Sequence, residues 1–148
     1  MKDAKKRLYL ISILILAVTV YSFVSASLRI FLMKANMETL SDIITESNLL
    51  MVKIITFVFN LLVTLPFVYV GIKGIKFSKK PDLSKAHIVW ATIFEVLIII
   101  GIALTVFNMV KTGNIMSDLR ALIDSVLEAI VFFVYIKSAK QVVKEAYP

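Results

Sequence analysis

Long apolar stretches alternate with short polar connections along this chain. The first three stretches cover residues 8–28, 54–72 and 86–110. They contain 21, 19 and 25 residues, and Glu95 is the one Asp, Glu, Lys or Arg among them. A fourth stretch covers residues 115–136 and carries four such side chains: Asp118, Arg120, Asp124 and Glu128. Because about 20 apolar residues cross the hydrocarbon core as a helix, we predict four membrane-spanning helices, of which the fourth depends on its neighbours.

The composition favours the same fold class. Of the 148 residues, 59% are hydrophobic, and the mean hydropathy is +0.90. A soluble domain of this length has too small an interior for so many apolar side chains. We therefore expect an all-α, integral membrane four-helix bundle, antiparallel and formed as a single domain by residues 1–148.

Basic residues are distributed unequally between the two predicted sides of the membrane. Twelve lie at the N-terminus, in the connection after the second span or at the C-terminus, and five lie on the other side. Basic residues near span ends favour the cytoplasm, so both termini are expected there. One aromatic residue per span is predicted to lie at the inner interface: Tyr9, Tyr69, Trp90 and Tyr135. The excess of lysine over arginine and the abundant isoleucine are associated with bacteria, so we expect a bacterial cytoplasmic membrane.

The first span also has features of a cleaved signal peptide, namely its basic start and the segment Val24–Ala26. Its apolar stretch is longer than the apolar region of a signal peptide, so we interpret it as a retained helix. The pI of about 9.7 reflects mainly the cytoplasmic lysines. Nucleic acid is therefore not an expected partner.

Two connections between spans have patterns of their own. Residues 34–48 combine apolar residues at helical spacing with an acidic stripe, Glu38, Asp42 and Glu46. This predicts a short amphipathic outer helix that either lies on the outer surface or extends the second span. Its acids form either a cation-attracting vestibule or simply a solvated face. The connection after the second span repeats Gly-Ile-Lys at Gly71 and Gly74, which predicts fraying of that helix. Its five lysines can dock anionic lipid headgroups or an acidic partner surface, or they only fix orientation. Four of them are predicted to bind lipid: Lys73, Lys76, Lys79 and Lys80.

Acidic residues within the spans are the main functional clue. Glu95 and Glu128 are predicted at the same depth, roughly 10–12 Å from the inner face, at about 1.5 Å of rise per residue. Ionisable groups at that depth usually face partners or water. Asn60 is predicted at a similar depth, where it can hydrogen-bond either acid, and Pro66 frees a backbone carbonyl nearby.

A charged stripe precedes Glu128 on the fourth span. Arg120, Asp124 and Glu128 are four residues apart and so lie on one helical face, which must turn away from lipid. Asp124 is expected to pair with Arg120, and Lys53 or Arg29 can approach from the outer interface. Glu95 and Glu128 are then left without a cation at their own level.

Three interpretations of this cluster remain open. In the first, the acidic pair binds a proton or a cation in a small transporter. In the second, the pair receives a basic residue from a partner protein, which makes the chain an accessory subunit of a membrane assembly. In the third, the protonated acids form hydrogen bonds that hold the bundle together. We rank transport first and the accessory role, immunity-type proteins included, as the alternative. A homo-oligomer or larger complex is expected in either case.

An enzyme is not expected from this sequence. The single histidine, His87, is interpreted as a polar boundary residue. There is no cysteine, no HExxH motif and no Ser–His arrangement, so metal sites and common nucleophilic mechanisms lack their residues. We predict neither a metal nor a cofactor.

The layout, with both ends inside and a lysine-rich central hairpin, is similar to four-helix families such as bacteriocin immunity proteins and small multidrug exporters. The exporters carry their functional glutamate in the first span, where this chain has no acidic residue. The resemblance therefore implies no function.

Overall fold

A computed structural model describes the backbone of residues 2–32, 48–82, 84–112 and 115–147. It also describes their side chains, apart from those of residues 112, 115–118 and 120. Within these ranges the protein is helical and contains no strand. The predicted amphipathic outer helix lies outside the described residues except for Asn48.

The helices are α1 (Lys2–Leu32), α2 (Leu49–Lys79), α3 (Ala86–Thr112) and α4 (Ile115–Ala146). Each extends beyond its apolar stretch, because the backbone hydrogen bonds of a helix continue into the polar flanks. Within the described part of the chain, three helices are long and apolar enough to cross a membrane: Lys2–Leu32, Leu49–Lys79 and Ala86–Lys111. The prediction of four helices, three of them strongly apolar, is confirmed.

The helices contact one another in sequence-adjacent pairs. Helix α1 packs mainly against α2, and α3 packs mainly against α4. We call these pairs the first and second hairpins. Helix α1 also contacts α4, and α2 contacts α3.

One end of the structure, which we call the lysine-rich end, gathers the start of α1, the end of α2, the start of α3 and the end of α4. Hydrogen bonds tie these segments together: Arg7 Nη2 donates to Gln141 Oε1 at 3.0 Å, and the Tyr147 hydroxyl donates to the Pro81 carbonyl at 3.1 Å. The buried core lies on this side. Its residues are Ala4, Leu8, Ile15, Val70, Phe77, Ile88, Ala91, Phe94, Phe132, Tyr135, Ala139 and Val142.

The opposite half of the structure is open. Among the described side chains, none of α2 before Val70 and none of α3 after Phe94 is buried. Large apolar side chains there are about half exposed, including Leu62 at 58% and Leu104 at 59%. The hairpins therefore pack tightly at the lysine-rich end and leave space between them at the other end.

Two glycines allow the close packing. A Cβ on Gly71 would lie 2.5 Å from Leu16 Cγ, and one on Gly74 would overlap Ser12 Oγ and lie 2.6 Å from Tyr135 Cε2. Both glycines are buried, and α2 continues through them to Lys79. The predicted fraying is wrong, because the missing side chains let α1 and α4 cover this segment and exclude water from its backbone.

Tyr135 also departs from its predicted place in an interfacial aromatic belt. Its side chain is 0% exposed, and its hydroxyl donates a 3.0 Å hydrogen bond to the Val70 carbonyl. A helical carbonyl can accept a second hydrogen bond. The tyrosine thus links α4 to α2 inside the core.

Replacing Gly74 by alanine is expected to destabilise the protein by about 1–2 kcal/mol. Ser12 Oγ is held by the Leu8 carbonyl at 2.6 Å, and the Tyr135 ring is held by its own hydrogen bond, so neither moves aside easily. Unfolding of the detergent-solubilised protein by increasing dodecyl sulfate, followed by circular dichroism, measures the effect.

Gly101→Ala is the matched control, since nothing lies within 4 Å of a Cβ at that position. It should be neutral or stabilising by up to about 1 kcal/mol, from helix propensity alone. Equal effects of the two substitutions would contradict the close approach at Gly74.

Candidate functional site

Three phenylalanines mark the boundary between the packed and the open halves. Phe67 of α2 and Phe94 of α3 stack with ring centroids 4.1 Å apart and an interplanar angle of 9°. Phe132 of α4 meets each of them edge-on at 5.8 Å. Because three helices each contribute one ring, this aromatic cluster closes the lysine-rich half against the space beyond it.

A cavity of about 420 Å³ lies directly beyond the aromatic cluster, between α2, α3 and α4. Its lining consists of Val63, Pro66, Phe67, Phe94, Leu97, Ile98 and Glu128. Glu128 is half-buried and is the one ionisable residue in this lining. It precedes Phe132 by one helical turn, so the packing of that ring fixes the face of α4 from which the carboxyl projects. A carboxylate among apolar side chains is costly unless it binds a proton or a cation.

Pro66 lines the same cavity as Glu128 and frees a backbone acceptor within α2. Helix α2 continues through Pro66, which has no N–H to donate to the carbonyl of Leu62, four residues earlier. Leu62 adjoins Val63 of the cavity lining along the chain. The predicted freed carbonyl is therefore close in sequence to the residues that line the Glu128 cavity.

Glu95 is also half-buried, and its Oε2 atom is buried without a hydrogen-bond partner. At about 100° of rotation per residue, Glu95 points roughly 100° away from the mean direction of the α3 residues that line the Glu128 cavity. Because the Phe94 and Phe132 rings are in contact, Glu95 lies near the level of Val131 on α4. Val131 is three residues after Glu128, so Glu95 lies about 4.5 Å closer than Glu128 to the lysine-rich end. The facing arrangement of the two acids stays a prediction.

Asn60 and Arg29 lie together in a second cavity of about 310 Å³ between α1 and α2. Its lining consists of Ala26, Arg29, Ile30, Thr56, Phe59, Asn60 and Val63. The Nδ2 atom of Asn60 is buried without a hydrogen-bond partner. Val63 lines both cavities, so the Asn60 amide and the Glu128 carboxyl belong to neighbouring spaces along α2.

The other predicted charge partners are placed as follows. Lys53 Nζ donates a 2.9 Å hydrogen bond to the carbonyl of Phe31, near the end of α1. Asp124 is exposed, one turn before Glu128 on the same face of α4. The side chain of Arg120 is outside the described residues, so its pairing with Asp124 stays a prediction.

The four lysines predicted to bind lipid lie on the last two turns of α2 and just after it. Lys76, Lys79 and Lys80 are exposed, whereas Lys73 is half-buried. Lys79 Nζ lies 5.7 Å from the centroid of the Tyr9 ring, within the range of a cation–π interaction. The exposed side chains of Lys76 and Lys80 can therefore meet a charged surface at the lysine-rich end.

His87 is a buried residue that the sequence interpretation missed. Its side chain is 1% exposed, its ring lies 4.6 Å from that of Phe77, and its Nε2 atom has no hydrogen-bond partner. The polar-boundary interpretation is wrong, because His87 shares an inward face with Ala91 and Phe94 at helical spacing. That spacing was the available signal. Among the described residues, no three His, Cys, Asp or Glu side chains are grouped to hold a metal ion.

Comparisons with known proteins identified no relative of this chain. No protein-family model, curated protein or solved structure matches this chain. The assignment of function therefore depends on the two cavities and their polar residues.

A cysteine introduced at Val63 is expected to react with a membrane-impermeant thiosulfonate reagent at least about tenfold faster than one at Val70. Val63 is 48% exposed and lines both cavities, whereas Val70 is 0% exposed in the core. Thiols react as thiolates, which form only where water enters. The chain has no native cysteine, so each variant carries a single thiol.

Reaction is followed by mass spectrometry on protein in liposomes. Val106→Cys is the control, because Val106 of α3 is 43% exposed and lines neither cavity. If the thiol at Val63 is as unreactive as those at Val70 and Val106, then the cavities contain no water.

Proposed function

We propose that this chain is a small membrane transporter that binds a cation at Glu128 in competition with a proton. The observation that carries the proposal is a single carboxyl in an otherwise apolar cavity of about 420 Å³. Binding pockets for small molecules typically have this size and this balance of apolar walls with few polar groups. This lining favours an organic cation with an apolar body, because the apolar side chains would contact the body of the cation and Glu128 would neutralise its charge.

Competition between the substrate and a proton follows from the surroundings of Glu128. Within the apolar lining, the carboxyl is most stable when it is neutralised. A proton and a cation each neutralise it, and both cannot do so together. Binding of one therefore releases the other, which is the elementary step of proton-coupled exchange.

The proposed membrane arrangement has four antiparallel spans with both termini in the bacterial cytoplasm. The contacts at the lysine-rich end support it, because they join the two chain ends to the connection between α2 and α3. The excess of basic residues at the same end has the sign expected for the cytoplasm. The proposed fourth span, α4, would turn Asp124 and Glu128 away from lipid and toward the cleft between the hairpins.

A reporter fused after Pro148 is expected to be cytoplasmic, and one inserted at Asn36 is expected to be external. Paired alkaline phosphatase and green fluorescent protein fusions measure this, since the first is active outside and the second fluoresces inside. An external Pro148 would remove the four-span arrangement.

Glu128→Gln is expected to weaken binding of tetraphenylphosphonium at least about tenfold, because it removes the negative charge while keeping the volume of the side chain. Equilibrium dialysis of the radiolabelled cation against the purified protein measures affinity. Asp3→Asn, which removes an exposed carboxyl at the far end of α1, is the matched control and should have no effect. Similar losses in the two variants would indicate adsorption of the cation to negative charge in general.

Affinity in the unmodified protein should rise with pH until the carboxyl is fully ionised, and this dependence should vanish in Glu128→Gln. Glu95→Gln tests the acidic pair separately. A loss equal to that of Glu128→Gln supports one shared site, whereas an unchanged affinity assigns the cation to Glu128 alone. Binding that is unaffected by either change would contradict the proposal.

The alternative is an accessory subunit of a membrane assembly. The same cavity supports it, because a lysine or arginine from a partner helix can neutralise Glu128 from the open side. Purification from native membranes separates the two functions. A partner that is retained by the unmodified chain and lost with Glu128→Gln would favour the subunit; binding of the free cation in the absence of any other protein favours the transporter.

A further inference from the structure

The side chains that line the cavity between α1 and α2 become less polar with depth. The proposed transport step does not involve this cavity. Lys53 Nζ meets the Phe31 carbonyl at 2.9 Å, so these residues define a common level on the two helices. At about 1.5 Å per residue, Arg29 lies about 3 Å from that level toward the membrane centre. Asn60 lies about 10 Å from it and Val63 about 15 Å. Positive charge, amide and hydrocarbon therefore follow one another with increasing depth.

Two side chains of this cavity, Arg29 and Asn60, can donate hydrogen bonds to a ligand. Arg29 is exposed, and its guanidinium has five N–H groups. The Nδ2 atom of Asn60 is buried without a partner, and an unsatisfied buried donor is costly. The hydroxyl of Thr56 already donates to the Val52 carbonyl at 2.8 Å. A ligand that fits must offer an anionic oxygen near Arg29 and a neutral acceptor several ångströms deeper.

We propose that this cavity binds one phospholipid with an anionic headgroup. Its phosphate pairs with Arg29, a glycerol ester carbonyl accepts the hydrogen bond from Asn60 Nδ2 once the amide turns toward the cavity, and an acyl chain lies against Val63. The order of phosphate, ester and hydrocarbon in the lipid is the order of guanidinium, amide and apolar side chains in the cavity. Arginine suits the phosphate because its planar fork forms two parallel hydrogen bonds. The site requires membrane embedding, and it is independent of cation binding at Glu128.

The ester contact distinguishes this site from general attraction between lipid and basic residues. Lysines at the other end of the structure also attract anionic headgroups, but attraction of charge does not distinguish an ester from an ether. An amide that donates a hydrogen bond to the ester carbonyl distinguishes the two, because an ether has no carbonyl. Removing that acceptor leaves Asn60 unsatisfied and should weaken binding about fivefold.

Native mass spectrometry of the detergent-solubilised protein, titrated with defined lipids, tests the proposal. For the unmodified protein, diester phosphatidylglycerol should bind about fivefold more tightly than its diether analogue. It should bind at least about tenfold more tightly than diacylglycerol, which lacks the phosphate. Equal binding of the diester and diether lipids would overturn the proposal without the use of any variant.

Two substitutions assign the contacts. Asn60→Leu should abolish the difference between diester and diether lipids while retaining the preference for phosphate. Arg29→Gln should reduce the preference for phosphate while retaining the difference between ester and ether. Circular dichroism checks that each variant keeps its helical content.

Lys111→Gln is the matched control, because this exposed residue at the end of α3 lies outside the cavity lining and loses the same charge. It should leave the affinities unchanged. A loss equal to that of Arg29→Gln would mean general charge attraction and overturn the site. Glycerol 3-phosphate that binds as tightly as the whole lipid would show that the cavity recognises a free phosphate instead.

Discussion

The close approach of α1, α2 and α4 at Gly74 is the constraint on which the rest of the structure depends. Glycine at this position lets Ser12 and Tyr135 meet the backbone of α2, and the tyrosine hydroxyl then reaches the Val70 carbonyl. Small residues and buried hydrogen bonds are the usual means of helix association where lipid removes the hydrophobic driving force. The two hairpins are thereby held together at the lysine-rich end.

The open half follows from this one-sided packing. The aromatic cluster of Phe67, Phe94 and Phe132 closes the packed half, and beyond it the described residues of α2 and α3 are not buried. In membrane proteins, polar groups are tolerated in spaces that are enclosed by protein or filled with water, such as a space between hairpins. Glu128 lines the cavity between the hairpins, whereas Asn60 lines a neighbouring cavity within the first hairpin.

The sequence predicted the helices well but their rotations poorly. The apolar length of residues 54–72 was enough to predict a helix, because a segment that crosses lipid must satisfy its own backbone hydrogen bonds. The level of Glu128 along α4, one helical turn before Phe132, follows from counting residues. The direction in which a side chain points depends on which helix packs beside it, so residue counting alone did not show that His87 is buried. The role of Gly71 and Gly74 depends on Ser12 and Leu16, some sixty residues earlier in the chain.

Distances between spin labels on α2 and α3, measured at both ends by double electron–electron resonance in liposomes, test the central claim most directly. The native chain has no cysteine, so labels can be placed at will. Labels at Lys76 and Val89 report the lysine-rich end, and labels at Leu50 and Val110 report the open end. The account predicts a short, narrow distance distribution for the first pair and a clearly longer mean distance for the second. Equal mean distances at the two ends would contradict it.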